Sequence, residues 1–333
     1  MVQHKSKTRR DSNRKSKSKT KTQAKSKTRK RSTSKNTSVI DHGDHVHKAP
    51  IEFRRENCAP RAGSTRAGHF TCYNEKTLDT MKRLWNARHP DCAIETTTPH
   101  GIWRELKHYM GETCKMESCW LRQQFMKRSF DPSIMSYTFA PQAPRQWRHS
   151  PTEWLSSLDI MAVMKQYEAK YPCFSFIGPS PIDYDTHMVD GECVWEELCE
   201  FSLEKHLNKK KRKIGIVFNI DPHYKEGSHW VALFIDAKRE KICFFDSYGE
   251  DPEPQIMKFM KTVQKQSNEL NKNGEYKICT NTKRHQYSDS ECGMYCLYFI
   301  IELLKDTTSL AKLYGSRIPD KDMIALRKKY FNH

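Results

Sequence analysis

The chain has 333 residues, with 58 Lys or Arg against 40 Asp or Glu, a formal net charge of +18. That excess is local. Residues 1–36 hold fifteen bases and one acid, Asp11, so the remaining 43 bases and 39 acids leave +4, the balance of an ordinary soluble protein of about two domains. The N-terminus has no apolar core segment, so no secretory signal is expected. The longest purely apolar run near the C-terminus, Cys296 to Ile301, is far short of the ~20 residues that span a bilayer.

Residues 1–48 are rich in Lys, Arg, Ser and Thr, too polar to bury the surface that offsets ordering entropy, and are expected to form a disordered basic tail. Its charge, concentrated in 1–36, can contact nucleic acid, direct the chain to a nucleus, or simply solubilise it. Residues 49–68 read as a linker and 69–150 as a helical arm domain. Apolar residues at 78, 81, 84 and 85 predict a helix from Glu75, and Ile102 to Met110 and Cys119 to Phe130 read as shorter ones.

A catalytic domain is expected over 151–333. Glu153 to Tyr171 reads as a helix closed by Pro172. Lys209 to Lys213 reads as an exposed basic loop before a buried strand, Ile214 to Ile220. His229 to Asp236 and Lys241 to Asp246 form a hairpin across the turn 237–240. Pro254 to Leu270 predicts a helix, Tyr276 to Thr280 a short strand, and Cys292 to Lys305 an apolar helix. A last helix runs from Asp320, a candidate cap, to Phe331. The twelve cysteines contain no C-x-x-C pair and are expected to be free thiols. Cys114 with Cys119, and His187 with Cys193, lack zinc-finger spacing, so no metal site is expected.

Four residues carry the chemistry. Cys292 opens the apolar helix, where unpaired N–H groups and the dipole favour an anion. His229 starts one hairpin strand and Asp246 ends the next, so a carboxylate can meet and orient an imidazole. Gln286, six residues before Cys292 in the same loop, can aim its carboxamide at an oxyanion beside the Cys292 N–H. Taken singly, each has a bland explanation: a core-filling cysteine, a satisfied surface histidine, a turn aspartate, a solvated glutamine. Their order and placement on strand, strand, loop and helix indicate a thiol hydrolase. Gly293 leaves the backbone open to a substrate, and Trp230 either packs over the site or fills core.

His229-Trp230, the strand-terminal Asp246, and Gln286 ahead of Cys292-Gly293 resemble the SUMO-protease (ubiquitin-like-protein protease) and adenovirus-protease superfamily. Within it the chain is most similar to the polyprotein-processing proteases of large DNA viruses of the African swine fever virus type. The resemblance is densest over 227–236, 280–298 and 316–323, and runs more weakly back to about 150. It implies an α+β fold, a papain-like cysteine protease core whose mixed central sheet is flanked by helices, with an N-terminal helical arm. It also implies Cys292 as nucleophile, His229 as base, Asp246 as orienter and Gln286 as oxyanion donor, with Trp230 and Gly293 against the substrate. The swine fever type carries Asn in the third place, where Asp246 agrees with the SUMO proteases.

The implied activity is an endopeptidase cleaving viral structural polyprotein precursors after small residues, at Gly-Gly-X sites. No metal, cofactor or membrane partner is implied, and the setting is the virion core and host cytoplasm, or alternatively the host nucleus. A deconjugating isopeptidase acting on SUMO or other ubiquitin-like proteins would use the same residues. A third possibility is a basic nucleic-acid-binding virion component whose hydrolase domain is incidental.

Overall fold

The computed structural model describes residues 52–270 and 274–333, and these fall within one compact unit. The tail expectation for 1–48 lies outside the described residues. A five-stranded mixed sheet forms the centre, in the order β1 (Phe174–Pro181), β2 (Lys213–Asn219), β3 (Trp230–Asp236), β4 (Lys241–Phe245) and β5 (Lys277–Thr280). β1–β2 and β4–β5 are parallel, whereas β2–β3 and β3–β4 are antiparallel. Every residue of β3 is buried, because helices cover both faces of the sheet.

Alternation along the strands separates two cores. Trp230, Ala232 and Phe234 of β3, with Cys243 and Phe245 of β4, belong to one. It is completed by α3 (Ser157–Lys170), α5 (Cys292–Lys305) and α6 (Asp320–Tyr330). Val231, Leu233 and Ile235, with Ile242 and Phe244, face the other, where Ile256, Phe259, Met260 and Val263 of α4 (Pro254–Leu270) pack. A helix with a single apolar stripe covers one face. The nearly all-apolar α5 lies in the middle of the first core.

A third cluster lies in residues 53–139, around Leu78 and Met81 of α1 (Glu75–Arg88), Ile102 and Leu106 of α2 (Pro99–Met110), and Trp120. Asn74 and Thr98 cap these helices by accepting N–H bonds from Thr77 and Gly101. Asparagines tie this region to the chain end: the Asn57 N–H donates to Asn332 Oδ1 at 2.6 Å, and Asn57 Nδ2 to the Lys328 and Phe331 carbonyls. Gln166 of α3 donates to the Ser136 and Phe139 carbonyls.

Several expectations change. The helix expected from Glu153 begins at Ser157, because Ser156 and Asp159 close a capping box there; this leaves Trp154 and Leu155 in extended chain. Cys119 to Phe130 is a 3-10 turn (Glu117–Arg122) followed by a single helical turn (Gln124–Lys127), not one helix. β1 has little alternation to show, and its prolines, Pro179 and Pro181, are tolerated because it is an edge strand. Six cysteines are paired rather than free, as Cys58–Cys72, Cys114–Cys119 and Cys193–Cys199, since the fold brings their Cα atoms to 5.2–6.3 Å. Lys213 leaves the basic loop to begin β2, and its buried Nζ donates to the Leu303 and Leu304 carbonyls and to Asp306 Oδ1, closing the C-terminus of α5. Asp320 does not cap α6: Pro319 holds the cap position, and the Asp320 carboxylate accepts from the Tyr287 N–H and the Tyr295 hydroxyl.

Candidate active site

His229 immediately precedes β3 and Asp246 immediately follows β4, so the hairpin brings both to one end of the sheet. His229 Nε2 and Asp246 Oδ1 are 2.5 Å apart, both side chains buried. The Cys292 thiol lies near enough to the same imidazole to help raise its pKa. Cys292 is the first residue of α5 and is only 1% exposed. Burial alone would push the His229 pKa down. The hydrogen bond to Asp246, the interaction with Cys292 and the charges of those groups outweigh it, and hold the pKa up at about 9. Tyr248 stacks on the imidazole with centroids 4.6 Å apart and planes 14° from parallel.

Asp246 is itself fixed. Its Oδ2 accepts the Glu250 N–H at 2.9 Å and its Oδ1 the Tyr248 N–H at 3.2 Å. Buried Asn281 clamps its backbone by accepting the Asp246 N–H at 2.9 Å and donating to the Asp246 carbonyl at 2.7 Å. Asn281 was not singled out in the sequence; its one signal is a polar residue directly after β5.

Gln286 is fully buried, and its loop hangs from the residue after Asp246: the His285 and Gln286 N–H groups both donate to the Ser247 carbonyl. The Ser247 hydroxyl donates to Gln286 Oε1 at 2.7 Å, which sets which way the carboxamide points. Gln286 Nε2 donates to the Ser288 carbonyl at 2.7 Å and lies 3.5 Å from the Tyr248 hydroxyl.

Trp230 and Gly293 meet through Leu155. The indole N–H donates to the Leu155 carbonyl at 3.0 Å. A Cβ added at Gly293 would come within 3.1 Å of Leu155 Cβ and 3.4 Å of Trp230 Cδ1, so glycine is what lets these groups close over the first turn of α5.

A buried ion pair next to Cys292 was also missed. Glu291, directly before Cys292, is fully buried, and both its oxygens accept from Arg327 of α6, Oε2 from Nε and Oε1 from Nη2, each at 2.9 Å. The same guanidinium donates to the Glu153, Thr152 and Ser290 carbonyls and lies over the Trp147 ring at 4.4 Å. Burial raises the Glu291 pKa, and the hydrogen bond and charge of Arg327 only partly offset it. Arg327 therefore ties the residue before Cys292 to the chain that leads into Leu155. Its sequence signal was an Arg four residues after Met323 and three before Tyr330, on the inward stripe of α6.

Among the described residues, two groups bring possible metal ligands within 4.8 Å of one another, His187/Cys193/Cys199 and His89/Asp91/Cys92. Neither includes a residue of the site described above, and the first already uses two sulfurs in a disulfide. Among the same residues no helix is long and apolar enough to cross a membrane.

Residues 160–333 match the Ulp1 protease family, C-terminal catalytic domain. The chain belongs to this family and is a cysteine peptidase. It is 33% identical over 273 residues, 79% of this chain and 85% of the other, to a protein of Acanthamoeba polyphaga mimivirus described as a thiol protease. To the cysteine protease of African swine fever virus (strain Badajoz) it is 29% identical over 241 residues, 68% of this chain and 85% of the other. The crystal structure of the swine fever virus protease aligns with 84% of this chain and 96% of its own, with a TM-score of 0.57 at 21% identity. That likeness extends the common fold beyond the catalytic domain.

Proposed function

We propose that the chain is an endopeptidase that cleaves structural polyprotein precursors of a large DNA virus after small residues, at Gly-Gly-X sites. The observation that carries the reading is one imidazole hydrogen-bonded to a buried carboxylate and electrostatically coupled to the thiol at a helix start. A positive imidazolium held beside the sulfur favours the thiolate, the form that attacks a carbonyl. Attack of Cys292 Sγ forms the C–S bond and places negative charge on the carbonyl oxygen. The Cys292 N–H and the Gln286 carboxamide stabilise that charge. Of the two Gln286 N–H groups, the one near Tyr248, in only a long contact, is the one left to donate to it. His229 then gives its proton to the departing amine, the C–N bond breaks, and a thioester remains. Water, deprotonated by His229, attacks the thioester and releases Cys292. Asp246 keeps the imidazole oriented throughout. Trp230 and Gly293 flank the acyl side, and a side chain at position 293 itself would meet Leu155 and Trp230.

A precursor-processing role is in keeping with relatives that are viral proteases, and such a role would be carried out in the virion core and host cytoplasm. The basic segment 1–36 would hold it on packaged nucleic acid, or direct it to the host nucleus. A second reading, deconjugation of ubiquitin-like modifiers, is favoured by one observation: relatives from other swine fever virus isolates, 29% identical over 232 residues, are named SUMO-1 cysteine proteases. Substrate choice separates the two. Short Gly-Gly-X peptides are expected to be cleaved as efficiently as a folded di-glycine ubiquitin-like fusion. A kcat/KM at least a hundredfold higher for the folded fusion would replace the first reading with the second.

A further inference from the structure

On the far side of the catalytic domain from Cys292, a cavity of about 690 Å³ lies between the N-terminal helical region and the C-terminal ends of three helices. Its walls carry five permanent cations: Arg55, Arg66, Lys170, Lys305 and Lys329. Lys170 and Lys305 are the last residues of α3 and α5, and Lys329 is the next-to-last of α6. A lysine at a helix C-terminus is ordinary, since the dipole there favours positive charge. That accounts for each lysine separately. It does not explain why all three, with two arginines from another segment, line one space.

None of the five makes an ion pair within 4.0 Å among the described residues. The carboxylates in the wall are Glu56 and Glu117, and both are engaged elsewhere. Glu56 Oε2 accepts the Ser118 N–H, and Glu117 accepts from the Thr71 hydroxyl, the Cys72 N–H and the Trp103 indole. Glu302, on the same helix as Lys305, accepts from the Thr307 and Thr308 hydroxyls. Five cations and two carboxylates leave three positive charges around a concavity. Half-buried Lys305 holds its ammonium over the Tyr167 ring, 5.5 Å from the centroid. Its pKa is lowered, first by burial and then by repulsion from Lys329. The charge of a bound anion would offset this lowering.

We propose that this cavity is a binding site for a compact polyphosphate anion, inorganic or carried by a nucleotide. The charge calls for a multiply charged ligand. The volume suits a small molecule, and arginine forks beside ammonium groups match phosphate oxygens. Bound there, the anion bridges residues 55–66 to the ends of α3, α5 and α6, and so clamps the N-terminal region onto the helix that bears Cys292.

The test is the thermal midpoint of the full chain, titrated with sodium tripolyphosphate and separately with adenosine triphosphate, against sodium sulfate at matched ionic strength. A saturating rise of about 5 °C or more is expected with the polyphosphates and not with sulfate. Equal responses to the two mean the phosphates alone are read; a tighter response to the nucleotide adds a base contact. In Lys305→Met/Lys329→Met the rise should shrink to about 1 °C or less, while the ligand-free midpoint stays level or increases, because two repelling charges are gone. Arg55→Gln/Arg66→Gln, from the opposite wall, provides the same comparison if the first pair folds poorly. The segment 1–36 is present in every variant and drops out of the comparison. No polyphosphate-specific rise, or the same rise in wild type and both variants, overturns the site.

Discussion

At the N-terminus of α5 the buried charges of Glu291 and Asp246 are both partnered. Glu291 is held by Arg327 through two hydrogen bonds, Asp246 by His229 and two backbone N–H groups, and the guanidinium surplus goes to three carbonyls. Roughly 20 Å away, at the other end of this 14-residue helix, Lys213 and Arg239 are satisfied in the same manner, through Asp306. Lys305 and its neighbours face a cavity with no ion pair among the described residues. Charge buried without a partner is costly, so paired charge marks a place where geometry is held permanently. Cations gathered around a concavity without an ion pair among the described residues are what the proposed anion site rests on.

The sharpest break in that contrast is at the sulfur. Cys292→Ala should reduce peptide cleavage to the level of the uncatalysed control, with an unchanged far-UV spectrum and urea midpoint. Residual turnover above a few per cent would give the nucleophile's part to another group. Next is the pair behind it. Arg327→Met leaves Glu291 buried and uncompensated, which should cost about 3–5 kcal/mol of unfolding free energy in urea. Arg327→Met with Glu291→Gln should recover part of that loss, as the uncompensated carboxylate is removed. If the single variant loses less than about 1 kcal/mol, the pair is not holding the start of α5. Gln286→Ala should lower kcat by about 10²–10³ and leave KM within a few fold. An unchanged kcat would confine Gln286 to holding its loop against Ser247.

What could be read from the sequence follows the same division. The β3–β4 hairpin and the bounds of α4 and α5 came from periodicity, which is local and repeats every two or 3.6 residues. The hairpin then made the approach of His229 to Asp246 almost unavoidable, because antiparallel pairing lays the start of one strand beside the end of the next. The Arg327–Glu291 pair joins residues 36 apart, and each looks like an ordinary charge in its own segment. Asn281 acts through the backbone of Asp246, which no side-chain pattern encodes. β1 was hidden because its partner, β2, lies 39 residues further on in register, and its prolines imitate a loop. The start of α3 was misplaced because Trp154 and Leu155 continue an apolar stripe, although Leu155 is needed in extended chain beneath Trp230.

The smallest expected effect is also the one that reads the paired end directly, through pH. His229 has an unfolded value near 6.5 and a folded value of about 9. Because the folded value is the higher, the stability it contributes is complete below about pH 6.5 and is lost as pH rises through about 9. The urea midpoint of the wild type should therefore fall across that window. In His229→Gln the fall should be absent, leaving a flatter profile, since a neutral carboxamide binds no proton in either state. The same pKa sets the basic limb of turnover: once the imidazole loses its proton, it cannot protonate the departing amine, so kcat should decline near pH 9. Parallel stability profiles for wild type and His229→Gln between pH 6.5 and 9 would show that the imidazole is not held in its charged form by Asp246 and Cys292, and the distinction between a paired and an unpaired end of α5 would fail where it is most specific.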